Sequence, residues 1–198
     1  MGTLAAVWVL DLVTRGLATG LLAMSNGYAY SGQLWRLVTS SLTSGQLIGV
    51  LMNLLVLWLA GRALEAELGS VRFVVLYLAS GFGGAALFFA VAPVTAWSIG
   101  ATSAIVGLLA ANMIGKARTG EDIRPDIGLL VLLVLYSVLV GFASYGWVTM
   151  IGGIIVGGLS GAILAYAPRH HRLSIQLIGM IAVVTACSGL VVARLAFQ

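Results

Sequence analysis

The sequence predicts an all-α protein whose helices cross a lipid bilayer several times. Of its 198 residues, 61% are apolar and only 8% are charged, whereas a soluble domain contains about 25% charged residues. The charged residues are also separated by long apolar runs, and a helix needs about 20 apolar residues to cross the hydrocarbon core. Helices are expected because lipid-exposed backbone must satisfy its own hydrogen bonds. We therefore predict a polytopic membrane helix bundle with the lipid bilayer as its surroundings.

Seven apolar runs define the predicted spans of a single transmembrane domain covering residues 1–198. The runs cover residues 4–23, 47–61, 72–92, 100–115, 127–143, 148–167 and 174–196. The longest polar connection, 25–46, contains Trp35 and Arg36. Aromatic and basic side chains suit the membrane–water boundary. We predict that this loop lies in the interface and that Trp35 and Arg36 are its binding residues, anchoring the loop there rather than binding a substrate.

Basic residues are distributed unevenly among the predicted connections. Seven of the ten lysines and arginines follow the second, fourth and sixth runs, whereas the opposite side keeps Arg36 and Arg194. Cytoplasmic loops retain lysine and arginine, so we predict a cytoplasmic N-terminus and an outer C-terminus in a plasma membrane of the bacterial inner-membrane type. The net charge of +4 then reflects this bias and not nucleic-acid binding. A single cysteine, Cys187, allows neither an internal disulfide nor a cysteine metal site, and no metal or cofactor is predicted.

Small residues recur at every fourth position on two of the predicted helices. They are Gly107, Ala111 and Gly115 in the fourth run, and Gly153, Gly157 and Gly161 in the sixth. This spacing places each set on one helix face, where small side chains let two backbones approach closely. We predict that the fourth and sixth helices touch.

Two ionisable residues fall inside the first run. Asp11 and Arg15 are four residues apart, so on a helix they share a face and can pair. Intramembrane charges often mark ion or proton pathways, which raises the alternative of a small transporter or channel. A self-neutralising pair facing the bundle is the preferred interpretation, since the internal duplication common in transporters is not visible.

Three segments carry a family resemblance. The first runs from Gly32-Gln-Leu-Trp-Arg through Asn53 to the Glu65 turn, the second is Gly100-Ala-Thr-Ser-Ala-Ile-Val-Gly, and the third is Met150-Ile-Gly-Gly with Gly157. Together they resemble the rhomboid family of intramembrane serine proteases. The resemblance implies a six-helix core, here with an added seventh C-terminal helix. It also implies a serine–histidine dyad that opens to water on the outer face, with an oxyanion pocket formed by an asparagine and an auxiliary histidine.

The chain departs from the family pattern at almost every site position. Thr102 stands at the serine position, and Ser103 replaces the glycine that follows it. Met150 stands at the histidine position and Gly49 at the auxiliary histidine position, so Asn53 alone is retained. The non-catalytic interpretation of Asn53 is an amide that bridges two helices.

No base is expected near these hydroxyls. A hydroxyl nucleophile needs a base within about 2.6–3.2 Å, and a methionine thioether is not one. His170 is 20 residues beyond Met150, about 30 Å along a helix, and the adjacent His171 and the distant Lys116 are no better placed. We predict a pseudoprotease that engages transmembrane segments of client proteins without cleaving them. The alternative enzyme is a rhomboid-type serine endopeptidase with a non-standard site that uses Ser103 or Thr102.

Overall fold

The computed structural model describes residues 2–14, 16–44, 46–141, 145–166 and 172–196, and these form helices joined by short connections. In chain order the helices are α1 (Gly2–Val13), α2 (Leu17–Leu22), α3 (Asn26–Tyr30), α4 (Arg36–Thr39), α5 (Leu47–Leu68), α6 (Ser70–Val91), α7 (Ala101–Thr119), α8 (Arg124–Gly141), α9 (Gly146–Tyr166) and α10 (Arg172–Ala196). A 3₁₀ turn covers Ser40–Leu42. Two short strands, β1 (Met24–Ser25) and β2 (Trp97–Ser98), pair antiparallel with Met24 opposite Ser98. The predicted all-α membrane bundle is confirmed.

Four helices within the described ranges are long and apolar enough to cross a membrane. They are α5, α6, α9 and the Gln176–Ala196 part of α10. The fourth and fifth predicted runs correspond to α7 and α8, whose lengths are 19 and 18 residues. The chain is therefore an integral, multi-pass membrane protein.

The first predicted run, 4–23, forms two helices and not one. Helix α1 ends at Val13, and α2 begins at Leu17. Between them Gly16 adopts φ +90°, a left-handed conformation that glycine enters without a Cβ clash. The second run, 47–61, is instead extended, because α5 continues through the charged turn to Leu68.

Helices α7 and α9 lie in direct backbone contact. An added Cβ on each of three α9 glycines spaced four residues apart would meet α7, and the pairs are Gly153 with Ser103, Gly157 with Gly107, and Gly161 with Ala111. Each step of four residues along α9 thus matches a step of four along α7, as small-residue stripes predict. Gly115 does not take part, since an added Cβ there would meet nothing within 4 Å.

Helix α6 completes the centre of the bundle, where its small residues contact both α7 and α9. A Cβ on Gly84 would lie 2.6 Å from the Thr149 carbonyl oxygen of α9 and 2.7 Å from Ser103 Oγ of α7. Gly83 meets Val156 of α9 in the same way. This close three-helix contact brings the first turns of α7 and α9 side by side, which positions the site.

Candidate functional site

A cavity of about 580 Å³ opens at the end of the bundle where α5, α7 and α9 begin. Gly49 and Asn53 of α5, Thr102 of α7 and Met150 of α9 all line it. The structure thus brings together four of the five residues that the sequence placed in one site. The fifth, Ser103, does not line the cavity.

Asn53 links α5 to α7 across this cavity. Its side chain is buried, and Nδ2 donates to Thr102 Oγ1 at 3.1 Å and to Ser44 Oγ at 3.4 Å. An amide nitrogen carries two protons, so both are engaged. The Asn53 Oδ1 atom is buried and has no hydrogen-bond partner among the described residues. The amide therefore bridges two helices and leaves its oxygen, not an N–H, without a partner.

Ser103 is turned away from the cavity into the helix contact. The residue is fully buried, and its Oγ donates to the Gly100 carbonyl at 2.7 Å. Successive helical residues are rotated by about 100°, so when Thr102 faces the cavity Ser103 faces α6. The hydroxyl available to a ligand is that of Thr102.

At the two positions where the family resemblance implies histidines, this chain has Met150 and Gly49. Met150 is 2% exposed and belongs to the main apolar core of the bundle. At Gly49 an added Cβ would lie 3.0 Å from Tyr136 Oη of α8. Tyr136 also lines the cavity, so its phenol takes the space that a larger side chain at position 49 would enter. Nothing in the sequence marked Tyr136, which is one tyrosine within an apolar run.

Two charged side chains that could approach the cavity, Asp11 and Lys116, are hydrogen-bonded to groups other than the Thr102 hydroxyl. Asp11 lines the cavity, but its Oδ1 accepts a hydrogen bond from the Thr19 backbone N–H at 2.6 Å. Lys116 pairs with Asp126 at 2.7 Å near the other end of α7. Within the described ranges no imidazole, amine or carboxylate is hydrogen-bonded to the Thr102 hydroxyl, whose recorded partner is Asn53.

Three residues named from the sequence lie outside the described ranges. They are Arg15, His170 and His171. The predicted pairing of Asp11 with Arg15 therefore stays a prediction.

The two interface-loop residues do not line the cavity. Trp35 is 57% exposed, whereas Arg36 is only 4% exposed. Arg36 Nη1 donates to the carbonyls of Gly20 and Ala23 at 2.8 and 3.0 Å, and Nε donates to Gln33 Oε1 at 2.8 Å. Basic side chains often satisfy the last carbonyls of a helix in this manner. Arg36 therefore ties the loop to the end of α2.

Replacing Arg36 by methionine is expected to lower the free energy of unfolding by about 2–3 kcal/mol, because buried carbonyls lose their donors. Unfolding by sodium dodecyl sulfate in mixed micelles measures the change. The matched control is Arg62→Met, since Arg62 is exposed and its guanidinium lies 6.0 Å from the Trp58 ring. Equal losses of stability in the two variants would contradict a stabilising role that is specific to the hydrogen bonds of Arg36.

Comparison with known proteins identifies the family of the chain. The rhomboid domain family matches residues 31–167. RHOMBOID-like protein 4 of Arabidopsis thaliana is 32% identical over 69% of this chain and 35% of its own length. Rhomboid protease GluP of Bacillus subtilis is 28% identical over 84% of this chain and 33% of its own length. No solved structure matches significantly.

The matched region contains the whole cavity-forming part of α5, α7 and α9. The chain spans about a third of the length of the two relatives described. With a domain match over more than half of its residues, this chain belongs to the rhomboid family.

Proposed function

We propose that this protein is a catalytically inactive rhomboid that holds transmembrane segments of client membrane proteins without cleaving them. The observation that carries the proposal is the state of the Thr102 hydroxyl. It accepts a hydrogen bond from Asn53, and the position of the family's histidine holds the buried thioether of Met150.

The chemical argument is that no proton acceptor within the described residues is hydrogen-bonded to the Thr102 hydroxyl. A threonine or serine hydroxyl attacks a carbonyl only when a neighbouring base removes its proton. Loss of one member of such a catalytic set lowers the rate by several orders of magnitude. Asn53 contributes a donor to Thr102 and cannot act as a base.

The binding argument is the retained polar cavity. Burying polar groups within a membrane protein is unfavourable unless they find partners, and polar intramembrane residues tend to be functional. Besides Asn53 and Thr102, the cavity is lined by Ser137 and Thr149. A cavity that had lost every function would be expected to fill with apolar side chains, as position 150 already has.

The proposal also includes the orientation of the chain in the membrane and the membrane in which it lies. The distribution of lysine and arginine supports a cytoplasmic N-terminus in a plasma membrane. The cavity then opens toward the outer face, where a client helix reaches it from the bilayer.

Photo-crosslinking in proteoliposomes tests both halves of the proposal. A photoreactive residue replaces Trp97, which lines the cavity and is 54% exposed. The matched control replaces Val71, which is 79% exposed in the first turn of α6 at the opposite end of the bundle. We expect an intact single-span client crosslinked at 97 and not at 71. Equal crosslinking at both positions, or cleavage that disappears in Thr102→Ala, would contradict the proposal.

A further inference from the structure

A second cavity, an apolar groove of about 480 Å³, lies between α6, α9 and the C-terminal helix α10. Every residue that lines it is glycine, alanine, valine, leucine, isoleucine or cysteine. The lining residues of α10 recur at helical spacing and form one stripe, which consists of Gly179, Ala182, Val183, Ala186, Cys187 and Leu190. The family match ends at residue 167 and α10 begins at Arg172, so one wall of the groove comes from a helix beyond the matched domain.

Helix α10 contacts the rest of the bundle at both ends of the groove and leaves a gap between them. At one end an added Cβ on Gly179 would lie 2.7 Å from Ile163 Cγ2 of α9. Toward the other end Val191 is 4% exposed and belongs to the same apolar cluster as Phe88 of α6. Unfilled space in a protein interior loses dispersion contacts, and an apolar gap does not hold water. The groove therefore favours an apolar occupant from the bilayer.

The dimensions of the groove select a hydrocarbon chain over a helix. Gly179 and Leu190 are eleven positions apart, which is about 17 Å along α10. A volume of about 480 Å³ over this length gives a mean cross-section of roughly 30 Å², whereas a helix with a diameter of about 10–12 Å needs roughly 80–110 Å². A single acyl chain, whose carbons contact their neighbours at about 3.5–4.0 Å, fits this width. Ile155 and Leu159 on the groove wall are 52% and 53% exposed, so a chain enters from the side.

A basic side chain continues the α10 stripe at the end of the groove. Arg194 follows Leu190 by four residues, and such residues lie on the same helix face. Its Nε donates to Tyr30 Oη at 3.2 Å, a bond that uses one of the five N–H donors of the guanidinium. Guanidinium groups bind phosphate through two parallel hydrogen bonds. The groove thus combines a space for an acyl chain with a cation at its end.

We propose that the groove holds one acyl chain of an anionic phospholipid whose phosphate is bound by Arg194. Three helices surround this chain, whereas other lipids contact only the outer surface of the bundle, so this lipid exchanges more slowly. The inference does not depend on the proposed function, because the lipid lies between α10 and the rest of the bundle and not in the cavity that contains Thr102.

Photo-crosslinking after removal of the surrounding bilayer tests which molecule occupies the groove. A photoreactive leucine analogue replaces Leu159 in the groove or, as the matched control, Leu135 of α8, which is 54% exposed and does not line the groove. The protein is reconstituted in phosphatidylglycerol, transferred to detergent micelles, washed and irradiated, and mass spectrometry identifies the adduct. We expect a phosphatidylglycerol adduct at 159 and not at 135. An adduct with a second copy of the chain, no phospholipid at 159, or equal phospholipid adducts at both positions would overturn the inference.

Lipid titration followed by native mass spectrometry tests the role of Arg194. We expect the unaltered protein to bind phosphatidylglycerol about fivefold more tightly than phosphatidylcholine, as one basic residue near an anionic lipid predicts. Arg194→Gln is expected to equalise the two lipids, whereas Tyr30→Phe removes the phenol but keeps the guanidinium and should retain the preference. Equal affinities in the unaltered protein, or a preference that survives in Arg194→Gln, would overturn the assignment to Arg194. The titration of the unaltered protein decides the matter if a variant does not fold.

Discussion

Replacing Gly157 by alanine is expected to destabilise the bundle by about 3 kcal/mol, at the upper end of what one inserted methyl costs. The added Cβ would overlap the carbonyl oxygen and Cα of Gly107 on α7. Both are backbone atoms and cannot rotate aside, so α7 and α9 must separate. Close backbone approach is a main source of helix association in lipid, where no hydrophobic effect acts between helices.

The matched control is Gly158→Ala on the next residue of α9. A Cβ at Gly158 would lie 3.5 Å from Ile114 Cδ1, which is an ordinary contact. Alanine also has the higher helix propensity, so this variant is expected to be neutral or more stable by a few tenths of a kcal/mol. Unfolding in mixed micelles measures both. A similar loss of stability in the two variants would contradict a specific α7–α9 contact at Gly157.

We expect the double variant Thr102→Ser with Met150→His to cleave a substrate at least about a thousandfold faster than the unaltered chain. The reason is that loss of a catalytic base lowers the rate of such an enzyme by about this factor. Both positions line the same cavity, so an imidazole at 150 and a hydroxyl at 102 would share it. Cleavage of a single-span substrate in proteoliposomes measures the gain.

Thr102→Ser alone is the control for this experiment. It supplies the family's nucleophile but no base, and we expect it to stay at the level of the unaltered protein. Activity in the single variant equal to that of the double variant would show that position 150 is not where the missing base belongs.

The outline of the bundle could be predicted from the sequence because hydropathy responds to burial in lipid along a whole segment. The spacing of Gly153, Gly157 and Gly161 also indicated which helix α9 would contact. Hydropathy did not reveal the break at Gly16, since a single backbone torsion causes it. The contact through Gly83 and Gly84 was not predicted, although Ser80 and Gly84 are small residues four positions apart on α6.

Arg36 shows what a loop residue's position in the sequence does not reveal. The sequence predicts an anchor of the loop, and the structure adds that the side chain is buried and hydrogen-bonded to backbone carbonyls of Gly20 and Ala23 at the end of α2. Such bonds depend on where α2 ends, and hydropathy along the chain does not define that point.

Some residues of the candidate site could be predicted because the family resemblance assigns site positions to particular residues of this chain. That alignment placed Asn53, Thr102 and Met150 in one cavity. It did not reveal Tyr136, since the contact with Gly49 depends on the position of α8 relative to α5. It also gave no information on the direction of the Asn53 amide, which three-dimensional hydrogen bonding determines.

The central claim is that no base activates the Thr102 hydroxyl, and a fluorophosphonate probe for activated serine and threonine hydroxyls tests it most directly. The probe is applied to the unaltered protein, to Thr102→Ala and to the Thr102→Ser, Met150→His double variant in lipid nanodiscs, and mass spectrometry locates the adduct. We predict labelling at position 102 in the double variant and none in the unaltered protein. Labelling of Thr102 in the unaltered protein, abolished in Thr102→Ala, would contradict the claim.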